Sequence, residues 1–203
     1  TLLERIFMKN FVAKTILVSS LACACAMAEG GFMGVKGGYN FKTDLEDGVH
    51  DKAPEFGVKG GYEFDAARVY GGYFYQLKAA KRIKEDDITG KAEWKTHDFV
   101  VGADYTPHIS GGFKLIAGVY TGVSVLDLDV RASSVSESIR VSDTSAGYIL
   151  GARLGGAYSF DGNNEVEFGF KASKAWYDGD TSDYLDDIKG KKYGVYAGYN
   201  YKF

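Results

Sequence analysis

The chain has 203 residues, with 24 basic and 27 acidic side chains and a formal net charge of −3. That length limits it to one domain or at most two, a 45% hydrophobic content is too apolar for disorder, and the charge excludes nucleic acid as a main partner. The 27 Gly stand beside 15 Tyr and 13 Phe, with only 2 Pro and 2 Cys, which points to repeated strands in tight packing rather than to helices.

The first element is an address. Met8-Lys9-Asn10-Phe11-Val12-Ala13-Lys14 supplies a start and two positive charges, Thr15 to Met27 is uncharged and mostly apolar, and Ala26-Met27-Ala28 is a small-x-small cleavage pattern. This is a three-part secretory signal, with cleavage predicted between Ala28 and Glu29 and Met8 as the true start. Residues 1–28 are therefore assigned to an N-terminal extension plus a cleaved signal peptide, and residues 29–203 to the mature domain. Both Cys23 and Cys25 fall in the leader, so the mature chain needs no disulfide chemistry. Removal of Arg5, Lys9, Lys14 and Glu4 takes its net charge to −5.

After Ala28 no apolar run approaches the roughly 18 residues of a membrane helix. A closed β-barrel can also span, and its mark is a series of segments of about ten residues, alternating apolar and polar. Eight such segments follow in order. Met33, Val35, Gly37, Tyr39 and Phe41 oppose Lys36, Gly38 and Asn40. Phe56, Val58, Gly60, Tyr62 and Phe64 oppose Lys59, Gly61 and Glu63. Val69, Gly71, Tyr73, Tyr75 and Leu77 oppose Arg68, Gly72, Gln76 and Lys78. Phe99, Val101, Ala103 and Tyr105 oppose Asp98, Gly102 and Asp104. Phe113, Leu115, Ala117, Val119 and Thr121 oppose Lys114, Gly118 and Gly122. Tyr148, Leu150, Ala152, Leu154, Tyr158 and Phe160 oppose Gly151, Arg153, Gly155 and Ser159. Val166, Phe168, Phe170 and Ala172 oppose Glu165, Glu167, Gly169, Lys171 and Ser173. Tyr193, Val195, Ala197, Tyr199, Tyr201 and Phe203 oppose Gly194, Tyr196, Gly198, Asn200 and Lys202. Residues two apart share a strand face.

The connections alternate in length. Lys42 to Ala53, Ala80 to Lys91, Asp127 to Asp143 and Asp178 to Gly190 are long and polar; Asp65-Ala66-Ala67, Pro107 to Gly111 and Asp161 to Asn164 are short. Short periplasmic turns and long outer loops are the habit of an up-and-down outer-membrane barrel. Charges on the polar face leave a soluble barrel with an apolar interior open. The glycines among those charges decide for an inward polar face, because a narrow lumen needs room for long side chains. Aromatics near strand ends (Tyr39, Phe41, Tyr62, Phe64, Tyr105, Tyr158, Phe160, Trp176, Tyr201, Phe203) suit interfacial girdles. The fold class is all-β, an eight-stranded antiparallel up-and-down transmembrane β-barrel. Its expected lumen charges are Lys59, Glu63, Arg68, Asp98, Asp104, Arg153, Glu167 and Lys171, of both signs and able to pair.

These features resemble the small eight-stranded outer-membrane β-barrel family, which includes the opacity proteins and the transmembrane domain of outer membrane protein A. The resemblance covers Gly31 to Phe203. It implies an outer-membrane location in a Gram-negative bacterium after secretion to the periplasm. It also implies that Tyr199-x-Tyr201-x-Phe203 serves as the signal read by the barrel-assembly machinery. No peptidoglycan-binding domain follows Phe203, which puts a wall-anchoring role in doubt.

Function is expected to be non-enzymatic, a structural or surface-interaction role through four outer loops, with membrane lipid, lipopolysaccharide and a host or surface ligand as partners. The alternatives are a narrow porin-like channel and a lipid-modifying enzyme. The three histidines, His50, His97 and His108, read as solvated loop residues; His108-Ile109-Ser110 falls in a periplasmic turn, away from outer-leaflet chemistry. The acidic run from Asp178 begins like a calcium loop, but Asp183 replaces the required Gly and Lys189 the required Glu. No cofactor and no metal site is expected.

Overall fold

The computed structural model describes residues 30–45, 49–85, 88–133, 138–177 and 188–203. Met8, the leader with Ala28 and Glu29, and the acidic run 178–187 lie outside the described residues. The strands are β1 (Gly31–Leu45), β2 (Val49–Glu63), β3 (Ala67–Glu85), β4 (Ile88–Tyr105), β5 (His108–Ser110), β6 (Phe113–Ser133), β7 (Ser138–Ser159), β8 (Asn164–Tyr177) and β9 (Ile188–Lys202). They run in the order β4-β3-β2-β1-β9-β8-β7-β6, and a further β4–β6 ladder closes the sheet on itself. Strand β5 is a three-residue piece of the β4–β6 turn that pairs only with β6. Eight staves therefore form one antiparallel up-and-down barrel.

Alternation sets the two faces. Outward side chains are apolar: Phe168 is 54% and Phe170 is 66% exposed. Their inward neighbours Glu167 and Lys171 are 1% and 8% exposed. A soluble protein does not leave a continuous apolar wall in water, and this arrangement is the reverse of a soluble ligand-binding barrel. The wall is bounded at the turn end by paired aromatics. Tyr62 lies 4.9 Å from Phe64, Phe113 4.6 Å from Tyr158, and Tyr201 5.3 Å from Phe203, centroid to centroid. Inside, Gly gives the rings room. A Cβ on Gly102 would overlap Tyr70, and one on Gly151 would overlap Tyr120.

The turn end is tight. Gly111 and Gly112 both have positive φ, 56° and 86°, which suits residues without a Cβ. In the β7–β8 turn the Asp161 carboxylate accepts from the backbone N–H of Asn163 (2.9 Å) and of Asn164 (2.6 Å) and from the Asn164 side chain. Those hydrogen bonds, the Asn164 side chain's first, hold the Asp161 carboxyl below the usual range.

The opposite end differs from the sequence reading. Three of the four polar stretches assigned to long loops are mostly paired strand. Thr43 faces Asp51 and Leu45 faces Val49. Ala80 faces Glu93 and Glu85 faces Ile88. Asp127 faces Thr144 and Ser133 faces Ser138. Beyond the apolar belt the strands continue without apolar alternation and lose the signal that marks them lower down. Strands β1 to β4 and β6 to β9 reach 14 to 22 residues, beyond the 9–11 or so that cross a bilayer. The β2–β3 ladder stops at Glu55↔Gln76, although both strands continue. The β1–β2 and β3–β4 ladders run on past these residues. The rising wall thus opens between β2 and β3.

Two bulges also shift the phase. One lies between Asn40 and Thr43 of β1, the other between Gln76 and Ala79 of β3. The second overturns the inward placement of Lys78: its side chain is 63% exposed, while Ala79 is fully buried. An extra residue in one strand sends every later side chain to the other face.

Replacing Gly102 by Val should displace the Tyr70 ring and destabilise the refolded barrel by about 1–3 kcal/mol, read as a lower urea midpoint on heat-modifiable gel migration. An acid titration checks the turn. A carboxyl held low in the folded state stabilises above its unfolded pKa and loses that contribution as pH falls through the folded one. Asp161→Asn should therefore lower stability at neutral pH and flatten the acid limb of the profile, the two proteins converging at low pH.

Candidate functional site

The interior is filled by side chains from all eight long strands, stacked in layers. At the turn end Arg68 reaches from β3 to Glu63 (2.5 Å) and Glu165 (2.8 Å). Lys202 approaches the same two carboxylates at 3.0 and 2.8 Å, and Lys114 pairs with Glu63. Asn200 donates to Glu165 and Glu167 at 3.0 and 3.1 Å.

The middle layer centres on Glu167. It accepts from Lys59 at 2.6 Å and lies 3.3 Å from Arg153 and 3.5 Å from Arg68. Arg153 also forks onto Asp104, and its guanidinium lies 4.6 Å from the Tyr70 ring centroid. Higher up, Lys171 pairs with Glu55. Lys192 donates to Asp98 (2.7 Å) and Thr96 (2.6 Å), and Ser124 donates to Asp98 at 2.5 Å. Above these layers lies an apolar cluster that includes Trp94, Leu126, Ile149, Tyr177 and Ala79.

Each of the eight charges named from the sequence thus points inward: Lys59, Glu63, Arg68, Asp98, Asp104, Arg153, Glu167 and Lys171. The sequence reading left Glu55, Glu165 and Lys192 out of that set. Two of them are the partners of Lys171 and Asp98. Glu55 keeps phase with Gly57, Lys59 and Gly61, and Lys192 with Gly194 and Tyr196, so one more step of the alternation at each strand end reaches them. Burial of paired ions is costly, and removal of one partner costs more than the pair contributes; Glu167, with three cations around it, is the point of greatest dependence.

The outer wall at the hairpin end carries a second arrangement. Lys174 of β8 stands directly opposite Lys191 of β9, which stands opposite Asp44 of β1. Lys42 lies 3.1 Å from Asp44, and Lys174 sits 4.8 Å over the Trp176 ring. Between β4 and β6 Lys95 lies 3.1 Å from Asp127. A hydrogen bond to Asp127 raises the Lys95 ammonium's pKa. Partial burial opposes ionisation of Asp127, and the Thr144 and Lys95 hydrogen bonds outweigh it and hold the carboxyl low.

His97 is not a loop residue. It lies on β4 with Nδ1 2.8 Å from the Tyr73 hydroxyl and its ring 4.8 Å from Tyr75. His108 is exposed on β5, and the side chain of His50 lies outside the described residues. Among the described residues no group of three His, Cys, Asp or Glu could hold a metal ion.

No family model and no curated protein matches the chain. Solved structures do. Neisserial surface protein A is 15% identical with a TM-score of 0.56, over 86% of this chain and 98% of its own. Ail, the attachment invasion locus protein of Yersinia pestis, in complex with the heparin analogue sucrose octasulfate, is 21% identical with a TM-score of 0.50, over 85% and 99%. A major outer membrane protein from Thermus thermophilus is 13% identical with a TM-score of 0.50, over 84% and 99%. At these identities the likeness concerns the fold, which is that of the small eight-stranded outer-membrane β-barrels.

Glu167→Gln leaves Lys59 and Arg153 facing a neutral amide. It should cost about 3–5 kcal/mol, the range for breaking a buried ion pair, measured by urea titration in detergent micelles.

Proposed function

We propose that this chain is a non-enzymatic barrel of a Gram-negative outer membrane that works through its hairpin end, which faces outside. The turn end faces the periplasm, where secretion by the cleaved leader delivers the chain. Tyr199, Tyr201 and Phe203, all exposed on the outward face of the last strand, act as the signal for the assembly machinery. The apolar belt supports the membrane placement. The ion-paired interior, with its apolar cluster towards the hairpin end, supports a filled lumen over a narrow channel.

The observation that carries the surface role is the lysine cluster on the outer wall. Like charges directly opposite across two strands repel, and Lys174 and Lys191 have that register, with Asp44 on the other side of Lys191 and Lys42 beside Asp44. An anion from outside removes the conflict. The phosphates of lipopolysaccharide lie at this height, just above the aromatic belt, and Trp176 marks the boundary. Ail was crystallised with a polysulfated heparin analogue, and an anionic ligand of that kind suits this rim by sign.

Each lysine near an anionic surface contributes about 1 kcal/mol. The Lys174→Gln, Lys191→Gln double variant should therefore bind lipopolysaccharide about thirty-fold more weakly, with a reduced salt dependence, while its gel migration stays native. Unchanged affinity would contradict the reading.

A further inference from the structure

The interior holds more cations than carboxylates, and one of those cations sits where water is scarce. Five cations at the turn end and middle layer share Glu63, Glu165, Glu167 and Asp104, and Lys202 and Glu63 there remain partly open to solvent. Lys171 and Lys192 are matched by Glu55 and Asp98. Lys36 of β1 is left over. It is 7% exposed, and its ammonium has no ion-pair or hydrogen-bond partner among the described residues. Its polar head lies against ring faces, 4.3 Å from the centroid of Phe74 and 4.7 Å from that of Tyr196. The Tyr196 hydroxyl is buried without a hydrogen-bond partner.

Beside Lys36 is a cavity. Its wall includes Lys36, Lys171, Phe74, Tyr120 and Ser173, and its volume is about 10 Å³. That is room for roughly one water-sized species. Glu55 and Asp98 also reach this wall, but each is already held by its own lysine. Aromatic faces ease a desolvated ammonium without neutralising it, and a buried lysine without a counter-charge gives up its proton unless an anion holds it charged. A water molecule would give hydrogen bonds but no charge. A single small anion gives both, and a polyatomic oxyanion is too large for the space.

We propose that this cavity is a binding site for one halide-class anion, with the Lys36 ammonium as its recognising group. The anion completes the charge balance of the upper interior, where each lysine then has one negative partner. The site is separate from the lysine rim, since Lys36 points into the barrel and Lys174 and Lys191 away from it.

The test uses the full mature chain refolded in detergent, at constant ionic strength, with chloride exchanged for gluconate. The midpoint of heat unfolding should rise with the logarithm of chloride concentration. Bromide should substitute for chloride and sulfate should not. The rise should vanish in Lys36→Met and in Lys36→Gln. Crystals grown in bromide give a reading on the unaltered protein, whatever the variants do: an anomalous peak within hydrogen-bond reach of the Lys36 Nζ. Equal midpoints in chloride and gluconate, a chloride response that persists in Lys36→Met, or bromide crystals with no peak inside the barrel would each overturn the proposal.

Discussion

Backbone N–H and C=O groups in hydrocarbon have no water to pair with, so a spanning sheet must close. Most of the molecule follows from that constraint. Closure comes from the ladder between β4 and β6, which runs from Thr89↔Ser133 to Tyr105↔Ala117. It gives every long strand two partners and makes the outward face a lipid face. The apolar residues of each strand therefore point out, and the charged ones have only the lumen left. Eight strands enclose just enough space for side chains, and ions confined there must be matched by other ions. The stack from Glu63 and Arg68 up to Asp98 and Lys192 is the outcome.

The same constraint explains the change of character along the barrel axis. Inside the belt, alternation is strict and Gly lies beneath rings such as Tyr70 and Tyr120. Above it, water satisfies the edges, and the wall opens where the β2–β3 ladder stops. An apolar cluster around Trp94 and Leu126 fills the interior near this level. Its members Trp94, Leu126 and Ile149 lie on the hairpin side of Asp98 and Lys192, while Phe32 and Tyr70 lie among the ionic layers. The hairpins and the lysine-bearing outer wall are then the parts that reach the surroundings.

Much of the fold was legible in the sequence because lipid on one side and a crowded lumen on the other force a period of two. The inward residues of the last strand, Gly194, Tyr196, Gly198, Asn200 and Lys202, could be named from alternation alone. Legibility failed where that pressure ends. The segment 80–91 looks like a charged loop because it pairs as strand without the apolar alternation that marks the belt. Lys78 was misplaced because the bulge beyond Gln76 has no composition of its own to announce it. Glu55 and Lys192 lie one step past the apolar run that marked each strand, so the partners of Lys171 and Asp98 went unnamed. Lys36 was correctly placed inward, but its want of a carboxylate depends on which strands face one another across the lumen, and periodicity along a single strand carries no such information.

The central claim is that the lumen is closed by its own side chains and that the hairpin end does the work. Single-channel recording of the refolded protein in a planar bilayer tests this most directly, with native folding verified beforehand by heat-modifiable migration. The account requires a quiet membrane, without reproducible current steps. Steps of defined size that change when Arg153 or Glu167 is neutralised would show an ion path through the layers and contradict it.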